Sequence, residues 1–512
     1  MKRLMSTAAS RAWLVIALIG FALIALVLVL ALIPRLSAGQ KLLDEASPAF
    51  TDARVEGTRG GVNFISTYVD VADPLVPARG GAREVPKLIA LIKRRGRLST
   101  AGARRALKRQ APHTEALLRS LPLARVSAEV PSLTQFLATT LVTTPEEVQT
   151  TLVQRYPKLA QSLGALRNVE SGWYEVPGVA GRLTRFDGTP VSTTTQLRDY
   201  YRDDLVPLVD KDKRKFQDLA GSGGIGYIPY LLLVVGLVVL AYGIFQARAA
   251  TTQAPGRLAW GAVVGAGVVI LAIVGVLGHF PRLNGANDVI EDFKPAFATS
   301  RVEGAIAGAE FVHQTVLFGD PIATPGGGAG ADLRRLVRFV ADRSPLTESE
   351  VRRALRRAAP RTVALTEAIP LSSIAAEVPP LVAYLSKKLK LPGDRLITAL
   401  QRSVPGLAQS IQAVRPVGLG WNAIPGTANL TRFDELTPVR TMPALDGYLR
   451  EDLLRVLGDQ RNNFDRLANS WPPVNIFPPL LVIVGALMVL YGLAMMRFSI
   501  RRPHLRRRSK RA

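Results

Sequence analysis

Four long uncharged apolar runs divide this 512-residue chain and constrain its fold more than any other feature. They cover residues 12–33, 227–246, 259–280 and 477–496, and none contains Asp, Glu, Lys or Arg. A helix needs about 20 apolar residues to cross a hydrocarbon core about 30 Å thick. The runs therefore predict four transmembrane helices.

The chain repeats itself with an offset of about 250 residues. The first and third runs each begin near a Trp, at Trp13 and Trp260, and each ends on Pro-Arg-Leu. Residues 98–137 match residues 346–385 at 19 of 40 positions. The sequence RVEG occurs at 54–57 and 301–304, AEVP at 128–131 and 376–379, and LTRFD at 183–187 and 430–434. We interpret the chain as a mainly α protein with four transmembrane helices and two tandemly duplicated, mostly helical extracytoplasmic domains.

Charged residues beside the apolar runs predict the orientation. Residues 1–11, 247–258 and 497–512 carry Lys and Arg and no acidic residue, and such segments stay on the cytoplasmic side. We therefore expect a multi-pass plasma-membrane protein with both termini cytoplasmic and with residues 34–226 and 281–476 outside. A cleaved signal peptide is a poorer interpretation, because its apolar part usually has about 7–15 residues.

Net charge and cysteine content narrow the possible partners. The formal charge is +25, and the two exterior segments are themselves net positive. A basic exterior surface favours the bilayer, an anionic lipid, a cell-wall polymer or another membrane protein as partner, and its location disfavours nucleic acid. An oligomer is possible. The chain has no Cys, which excludes thiol catalysis and Cys-ligated zinc.

A shorter pattern recurs inside each copy and predicts helix pairs. An apolar residue is followed four positions later by Leu and five positions after that by Pro. Apolar residues at i and i+4 share a helix face, and Pro favours a new helix start. Each unit therefore predicts a helix, a bend and a second helix, and the domains should be compact bundles. The four units are Ala103/Leu107/Pro112, Val148/Leu152/Pro157, Val351/Leu355/Pro360 and Leu396/Leu400/Pro405.

The Arg and Asp of the LTRFD sequences are the most specific candidate site. Arg185 with Asp187, and Arg432 with Asp434, are predicted on loops downstream of Trp173 and Trp421. A loop with an aromatic residue and a charge pair could recognise a ligand or partner. The alternative is a buried Arg–Asp bridge that fixes the loop, and the same applies to Arg54 with Glu56 and Arg301 with Glu303.

Two further groups of residues are candidate contact surfaces. A basic stripe containing Arg104 and Arg105 recurs with Arg352 and Arg353, and it is interpreted either as a contact for anionic headgroups or polymer or as an ordinary exposed face. Small residues inside the apolar runs predict close helix packing. These glycines are Gly236, Gly243, Gly261, Gly265, Gly485 and Gly492.

Catalytic patterns are weak in this sequence. No His is shared by the two copies, no His-Glu-x-x-His spacing exists, and the Gly-rich runs lack a P-loop ending. We expect no cofactor and no metal. The leading hypothesis is a non-enzymatic membrane protein whose duplicated helical ectodomains bind a partner or envelope component. The alternative is an accessory or subunit of a lipid or polysaccharide transport system, with an apolar groove between the bundles, and an exported hydrolase acting through Asp187 and Asp434 is a third.

Overall fold

The computed structural model describes residues 8–77, 81–220, 226–250, 256–276, 279–324, 328–469 and 472–501. Over these residues the protein is mainly helical, which confirms the predicted class. Extended pairing in this part of the chain is limited to two isolated bridges, Thr184 with Pro190 and Thr431 with Pro438. Both bridges lie in the Gly-, Pro- and Thr-rich loops.

The two copies contain corresponding series of helices. The helices of the first copy are α1 (Ala8–Val29), α2 (Leu32–Ala46), α3 (Asp52–Ala72), α4 (Val85–Gly96), α5 (Thr100–Gln110), α6 (Pro112–Ser120), α7 (Ala124–Ser127), α8 (Val130–Leu141), α9 (Pro145–Arg155), α10 (Pro157–Gly172), α11 (Thr194–Asp199), α12 (Val206–Ala220) and α13 (Ile228–Ala249). Those of the second are α14 (Arg257–Val276), α15 (His279–Phe293), α16 (Thr299–Ala323), α17 (Ala329–Ala341), α18 (Glu348–Ala358), α19 (Pro360–Ala368), α20 (Leu371–Leu389), α21 (Gly393–Ser403), α22 (Pro405–Gly420), α23 (Met442–Gly447), α24 (Arg455–Ala468) and α25 (Phe477–Arg501). A π-helical turn, Tyr200–Leu205 or Tyr448–Leu454, precedes α12 and α24.

The helices form two compact units, and each unit contains parts of both copies. The first unit comprises Met1–Thr51, Leu208–Ala298 and Asp459–Ala512. The second comprises Asp52–Pro207 and Thr299–Gly458. The sequence predicts a helical domain in each copy and leaves open whether the two pack together, and the structure combines the middle segments of both copies in a single unit.

Apolar helices of membrane-spanning length lie in the first unit. Ser10–Val29, Ile228–Ala249 and Phe477–Phe498 are long and apolar enough to cross a bilayer. The third predicted span is apolar over the shorter stretch Arg257–Ala272, and residues 277–278 of that run lie outside the described residues. The pair α19 and α20, bent by 76°, would be a fourth candidate by composition, but both helices contribute to the core of the second unit.

Glycines allow the apolar helices to pack closely in two hairpins, α1 with α13 and α14 with α25. A Cβ at Gly236 would lie 3.1 Å from the carbonyl oxygen of Gly20, and one at Gly243 would lie 2.5 Å from the nitrogen of Ala17. In the second hairpin, a Cβ at Gly485 would lie 3.1 Å from the oxygen of Gly267. Gly492 similarly approaches Val264.

The predicted Gly261 and Gly265 step does not take part in this packing. A Cβ at either position would meet no atom within 4 Å. Gly267, two residues further on, approaches α25 instead, because a shift of two residues turns the helix by about 200°. A small-xxx-small pattern in the sequence does not by itself identify the packed face.

Aromatic residues join the two hairpins. The rings of Trp13 and Trp260 stack with centroids 3.7 Å apart and planes 10° apart. The Tyr242 hydroxyl donates to the Ala259 carbonyl oxygen at 3.0 Å, and the Tyr491 hydroxyl donates to that of Ala12 at the same distance. The repeated Trp is therefore the centre of a reciprocal contact between the copies.

Replacing Gly267 by Leu should separate α14 from α25, since the new side chain would collide with the backbone of Gly485 and Val489. The matched change Gly265→Leu, on the open face of the same helix, should be tolerated. Thermal unfolding of the purified protein in detergent measures both, and equal melting temperatures for the two variants would contradict this packing.

The second unit has one apolar core built from both copies. Helix α3 packs on α22, α10 packs on α16, and α6 packs on α19. In each of these pairs one helix comes from the first copy and the other from the second. The copies are interleaved, so that each completes the other's core.

The predicted helix-bend-helix units are present four times. Helices α5, α9, α18 and α21 are each followed, after one non-helical residue, by a helix that begins with Pro. The eight apolar residues of the pattern are all buried. Thr347 and Glu350 form a capping box at the start of α18.

Candidate functional site

The second helix of each helix-bend-helix unit is capped by a carboxylate from the other copy. In the first pair, the Glu377 carboxylate accepts the backbone N–H of His113 at 3.0 Å and of Thr114 at 2.9 Å. Its counterpart Glu129 accepts those of Arg361 and Thr362, both at 2.9 Å. A carboxylate there satisfies unpaired N–H groups and the positive end of the helix dipole.

A second pair of caps repeats the arrangement. Asp332 accepts the backbone N–H of Lys158 at 2.9 Å and of Leu159 at 3.1 Å. Glu84 accepts those of Gly406 at 3.2 Å and Leu407 at 2.8 Å. The second helices of the four helix-bend-helix units, α6, α10, α19 and α22, thus each begin on an acidic residue of the other copy. Sequence reasoning missed these four capping roles. Glu129 and Glu377 are the Glu of AEVP, and Glu84 and Asp332 are likewise equivalent, so an acid stands at both positions in both copies.

Replacing Glu129 or Glu377 by Ala should lower the stability of the second unit by about 0.5–2 kcal/mol for each lost cap. Because the capped helices α6 and α19 pack on each other, the double variant measures the coupling between the two caps. Glu146→Ala is the matched control, since its side chain is exposed on the first turn of α9. Denaturant unfolding followed by Trp fluorescence measures the effect, and a control as damaging as the cap variants would argue against this role.

The RVEG and LTRFD sequences hold each other across the two copies. The buried Arg54 donates to the carbonyl oxygens of Thr431 and Arg432 at 3.2 and 2.8 Å. Reciprocally, Arg301 donates to those of Thr184 and Arg185, both at 2.9 Å. The arginines fix the loops by backbone hydrogen bonds and not through the neighbouring Glu56 and Glu303.

The Gly of RVEG gives this contact its close approach. A Cβ at Gly57 would lie 2.7 Å from the Cβ of Leu430, and one at Gly304 would lie 2.8 Å from the Cβ of Leu183. Both leucines belong to LTRFD and are fully buried. Any larger residue at these two positions would push the loop out of the core.

The Arg and Asp of LTRFD have separate partners. Arg185 donates from Nη2 to Asp204 Oδ1 at 2.7 Å and from Nε to Oδ2 at 3.1 Å. Arg432 contacts Asp452 at 2.9 and 3.0 Å in the same bidentate way. These hydrogen bonds raise the pKa of both arginines. The partner acids lie on the π-helical turns, so the structure replaces the predicted pairing within LTRFD.

The two Asp residues of LTRFD stabilise their own turns. Asp187 accepts the backbone N–H of Thr189 at 2.8 Å, which lowers its pKa. Asp434 accepts the Thr437 hydroxyl at 2.6 Å and its backbone N–H at 2.9 Å, which lowers the Asp434 pKa. Both carboxylates are exposed on tight turns.

Replacing Arg54 or Arg301 by Met should destabilise the second unit, because it removes the charged hydrogen bonds that the guanidinium donates to two loop carbonyl groups, at about 1.5–3 kcal/mol. The matched change Glu56→Gln, two residues away on the exposed face of α3, should have little effect. Chemical unfolding distinguishes the two, and an unchanged Arg54→Met variant would rule out the structural role of this contact.

Trp173 and Trp421 are core residues and not exposed recognition residues. Their side chains are fully buried. Trp173 Nε1 donates to Asp73 Oδ1 at 2.8 Å, and Trp421 Nε1 donates to Asp320 Oδ1 at 3.3 Å. Gly319 makes room for the Trp421 ring, since a Cβ there would lie 2.5 Å from it.

The predicted basic stripes are exposed on one face of α5 and α18. Arg104 and Arg105 are exposed, as are Arg352 and Arg353, while Leu107 and Leu355 on the opposite faces are buried. The stripes differ in their neighbours. Arg352 lies 3.7 Å from Glu348, whereas no carboxylate pairs with Arg104 or Arg105 among the described residues.

Two cavities bear on the question of a ligand. An open cleft of 530 Å³ is lined by Ile306, Ala309, Glu310, Arg432, Arg450, Glu451, Asp452, Leu454 and Arg455. Its Arg432 and Arg450 already pair with its own acidic residues, at distances down to 2.9 and 3.2 Å. An apolar crevice between the copies, near Leu75 and Leu381, encloses only 40 Å³, far below the about 300–1,000 Å³ of ligand pockets.

Two carboxyl groups of the first unit, Asp212 and Asp292, form an arrangement that the other copy does not repeat. Asp212 on α12 is fully buried, 3.1 Å from Lys215 Nζ, and Asp292 on α15 lies 2.7 Å from Lys211 Nζ. Burial and the neighbouring Asp292 raise the pKa of Asp212, whereas hydrogen bonding to Lys211 lowers that of Asp292. Gln460 and Glu45 occupy the equivalent positions in the other copy, where the Gln460 amide donates a hydrogen bond to the Glu45 carboxylate. That pair contains only one carboxyl group.

The wild type should lose stability as the pH rises from the ordinary Asp pKa to the raised Asp212 pKa, because Asp212 must ionise while buried. Asp212→Asn has no such group, so it should become more stable than the wild type over that pH range. Asp292→Asn should show the opposite trend. Its ionised form is stabilised, so that variant should lose stability at neutral pH and approach the wild type on acidification. Melting temperatures across pH measure both, and parallel curves for the two variants would contradict the assignment.

Metal-binding chemistry has no obvious location in the described chain, where no group of three or more His, Cys, Asp or Glu could hold an ion. The two described histidine contacts are with carboxylates: His113 Nδ1 lies 2.6 Å from Glu377, and His313 Nδ1 lies 2.7 Å from Asp446. Burial raises the pKa of Asp446. Both pairs join helices of the second unit.

Comparison with protein-family models finds no match to this chain, and comparisons with curated proteins and with solved structures find no significant similarity.

Proposed function

We propose that the chain is a non-enzymatic integral membrane protein whose duplicated helical segments lie outside the cytoplasm and bind a partner or envelope component. The apolar helices of the first unit serve as the anchor, and both termini are cytoplasmic. The basic residues at 1–11, 247–258 and 497–512 support this orientation.

One observation carries the proposal. Polar residues of the repeated sequences RVEG, AEVP and LTRFD form contacts within the protein. Arg54, Glu129, Arg185 and their repeat counterparts bind other parts of the second unit, whereas Asp187 and Asp434 bind their own turns. The exposed faces of α4, α5 and α21 instead carry basic side chains that form no ion pair with any described residue.

Topology is tested with single cysteines, because the chain has none of its own. Val142, Leu436 and Leu258 are 93%, 85% and 91% exposed, so each can be replaced without disturbing the core. A maleimide that cannot cross membranes should label Val142→Cys and Leu436→Cys in cells with an intact cytoplasmic membrane. It should label Leu258→Cys only after permeabilisation, and labelling in the reverse pattern would refute the orientation.

Binding is tested by placing a photo-crosslinking residue at Arg104 or Arg105 in intact cells, with Glu56 of the exposed α3 face as the matched position. Recovery of the same protein or envelope polymer from the basic positions, and not from the control, is expected. Failure to recover any adduct from either helix face would argue against a binding role. The transport hypothesis lacks similar support, since the crevice between the copies is too small for a lipid chain.

A further inference from the structure

Two equivalent four-helix clusters of the second unit differ sharply in charge. One, the basic cluster, consists of residues 85–110 and 385–403, where α4, α5, α21 and the end of α20 pack on one another. Its counterpart, the mixed cluster, consists of residues 333–358 and 137–155, with α17, α18, α8 and α9. The basic cluster contains fourteen basic residues and one acidic residue, and the mixed cluster contains nine and five.

The basic side chains of the basic cluster are exposed, and none forms an ion pair with any described residue. In the mixed cluster the arginines are partly neutralised. Arg338 and Arg352 both lie 3.7 Å from Glu348, and Arg356 lies 2.7 Å from Glu367. The unpaired basic residues are Lys87, Lys93, Arg94, Arg95, Arg97, Arg104, Arg105, Lys108, Arg109, Lys387, Lys388, Lys390, Arg395 and Arg402.

The fold itself does not require this charge. Arg94 and Arg395 occupy the positions of Asp342 and Glu147 in the mixed cluster, so two acids are replaced by bases on the same backbone. Concentrating like charges on one surface destabilises a compact protein through repulsion. An anionic ligand would relieve this repulsion.

The surface of the basic cluster is unsuited to insertion into a bilayer. Interfacial helices bind membranes through buried apolar area as well as charge. The mixed cluster exposes Val142 and Val153, but Lys390 and Gln401 replace them in the basic cluster, whose described residues include no exposed large hydrophobic side chain. Many charges across four helices favour a ligand that makes several contacts at once.

We propose that the basic cluster is a binding surface for a flexible anionic polymer with repeated phosphate or carboxylate groups. Arg offers paired donors to such groups, and Lys offers a compact charge. The proposal rests on the proposed binding function and names the class of its partner and the face that binds it.

The test uses the full-length protein in nanodiscs of neutral lipid and measures binding of fluorescent poly(glycerol phosphate) and poly-L-glutamate. The variant Arg105→Gln/Arg109→Gln should weaken polymer binding on the order of thirtyfold, given about 1 kcal/mol for each of the two basic residues near an anionic surface. Its matched control is Arg353→Gln/Arg357→Gln at the equivalent positions of α18, which should change affinity less than about twofold. A second variant, Lys387→Gln/Lys388→Gln, removes charge from the other copy's part of the cluster and should also weaken binding.

Several results would overturn the inference. Equal losses in the two matched pairs would indicate nonspecific attraction to net charge, and no polymer binding at about 0.15 M salt would leave no role for the surface. Equally tight binding of monomeric glycerol phosphate would exclude a multivalent polymer site. Stronger binding to phosphatidylglycerol vesicles than to either polymer would assign the surface to a membrane. The cysteine-labelling result is independent of all these measurements, so a failed topology and a failed polymer site are distinguishable.

Discussion

The unsatisfied N–H groups at the start of a helix are the constraint on which the second unit depends. Four of its helices begin with Pro directly after another helix, which leaves no room for a cap from the preceding residues. Each start is instead completed by a carboxylate from the other copy, with Glu84, Glu129, Asp332 and Glu377 in these roles. Each copy therefore needs an acidic residue within hydrogen-bond distance of a helix start in the other copy. This requirement accounts for the acidic residues at all four sites.

The two copies form one interleaved unit because each copy makes the same contacts with the other. Arg54 reaches the loop at Thr431 as Arg301 reaches the loop at Thr184, and Trp13 stacks on its own repeat equivalent, Trp260. Reciprocal contacts of this kind resemble the isologous interface of a two-fold dimer. Equivalent positions that hold different residues mark where the two copies differ chemically. Asp212 stands where the other copy has Gln460, and Arg94 stands where it has Asp342.

Local patterns predicted much of the fold. The i, i+4 apolar pairs followed by Pro gave the helix-bend-helix units, since that periodicity and the missing N–H of Pro act within a few residues. The interleaving could not be predicted, because the partner of Glu129 at Thr362 is more than 230 residues away. The RVEG and LTRFD repeats are recognisable in the sequence, but the pairing of Arg185 with Asp204 and the place of Gly267, instead of Gly261 and Gly265, at the helix contact are visible only in the three-dimensional structure.

The crossing of caps between the copies also sets an order of events during synthesis. When the ribosome has completed α6 and α10, the residues that cap them, Glu377 and Asp332, have not yet been translated. The first half must therefore wait, with exposed apolar faces, while more than 150 further residues emerge after α10. Contacts of such high sequence separation slow folding, so the core of the second unit is completed only after both copies have been synthesised.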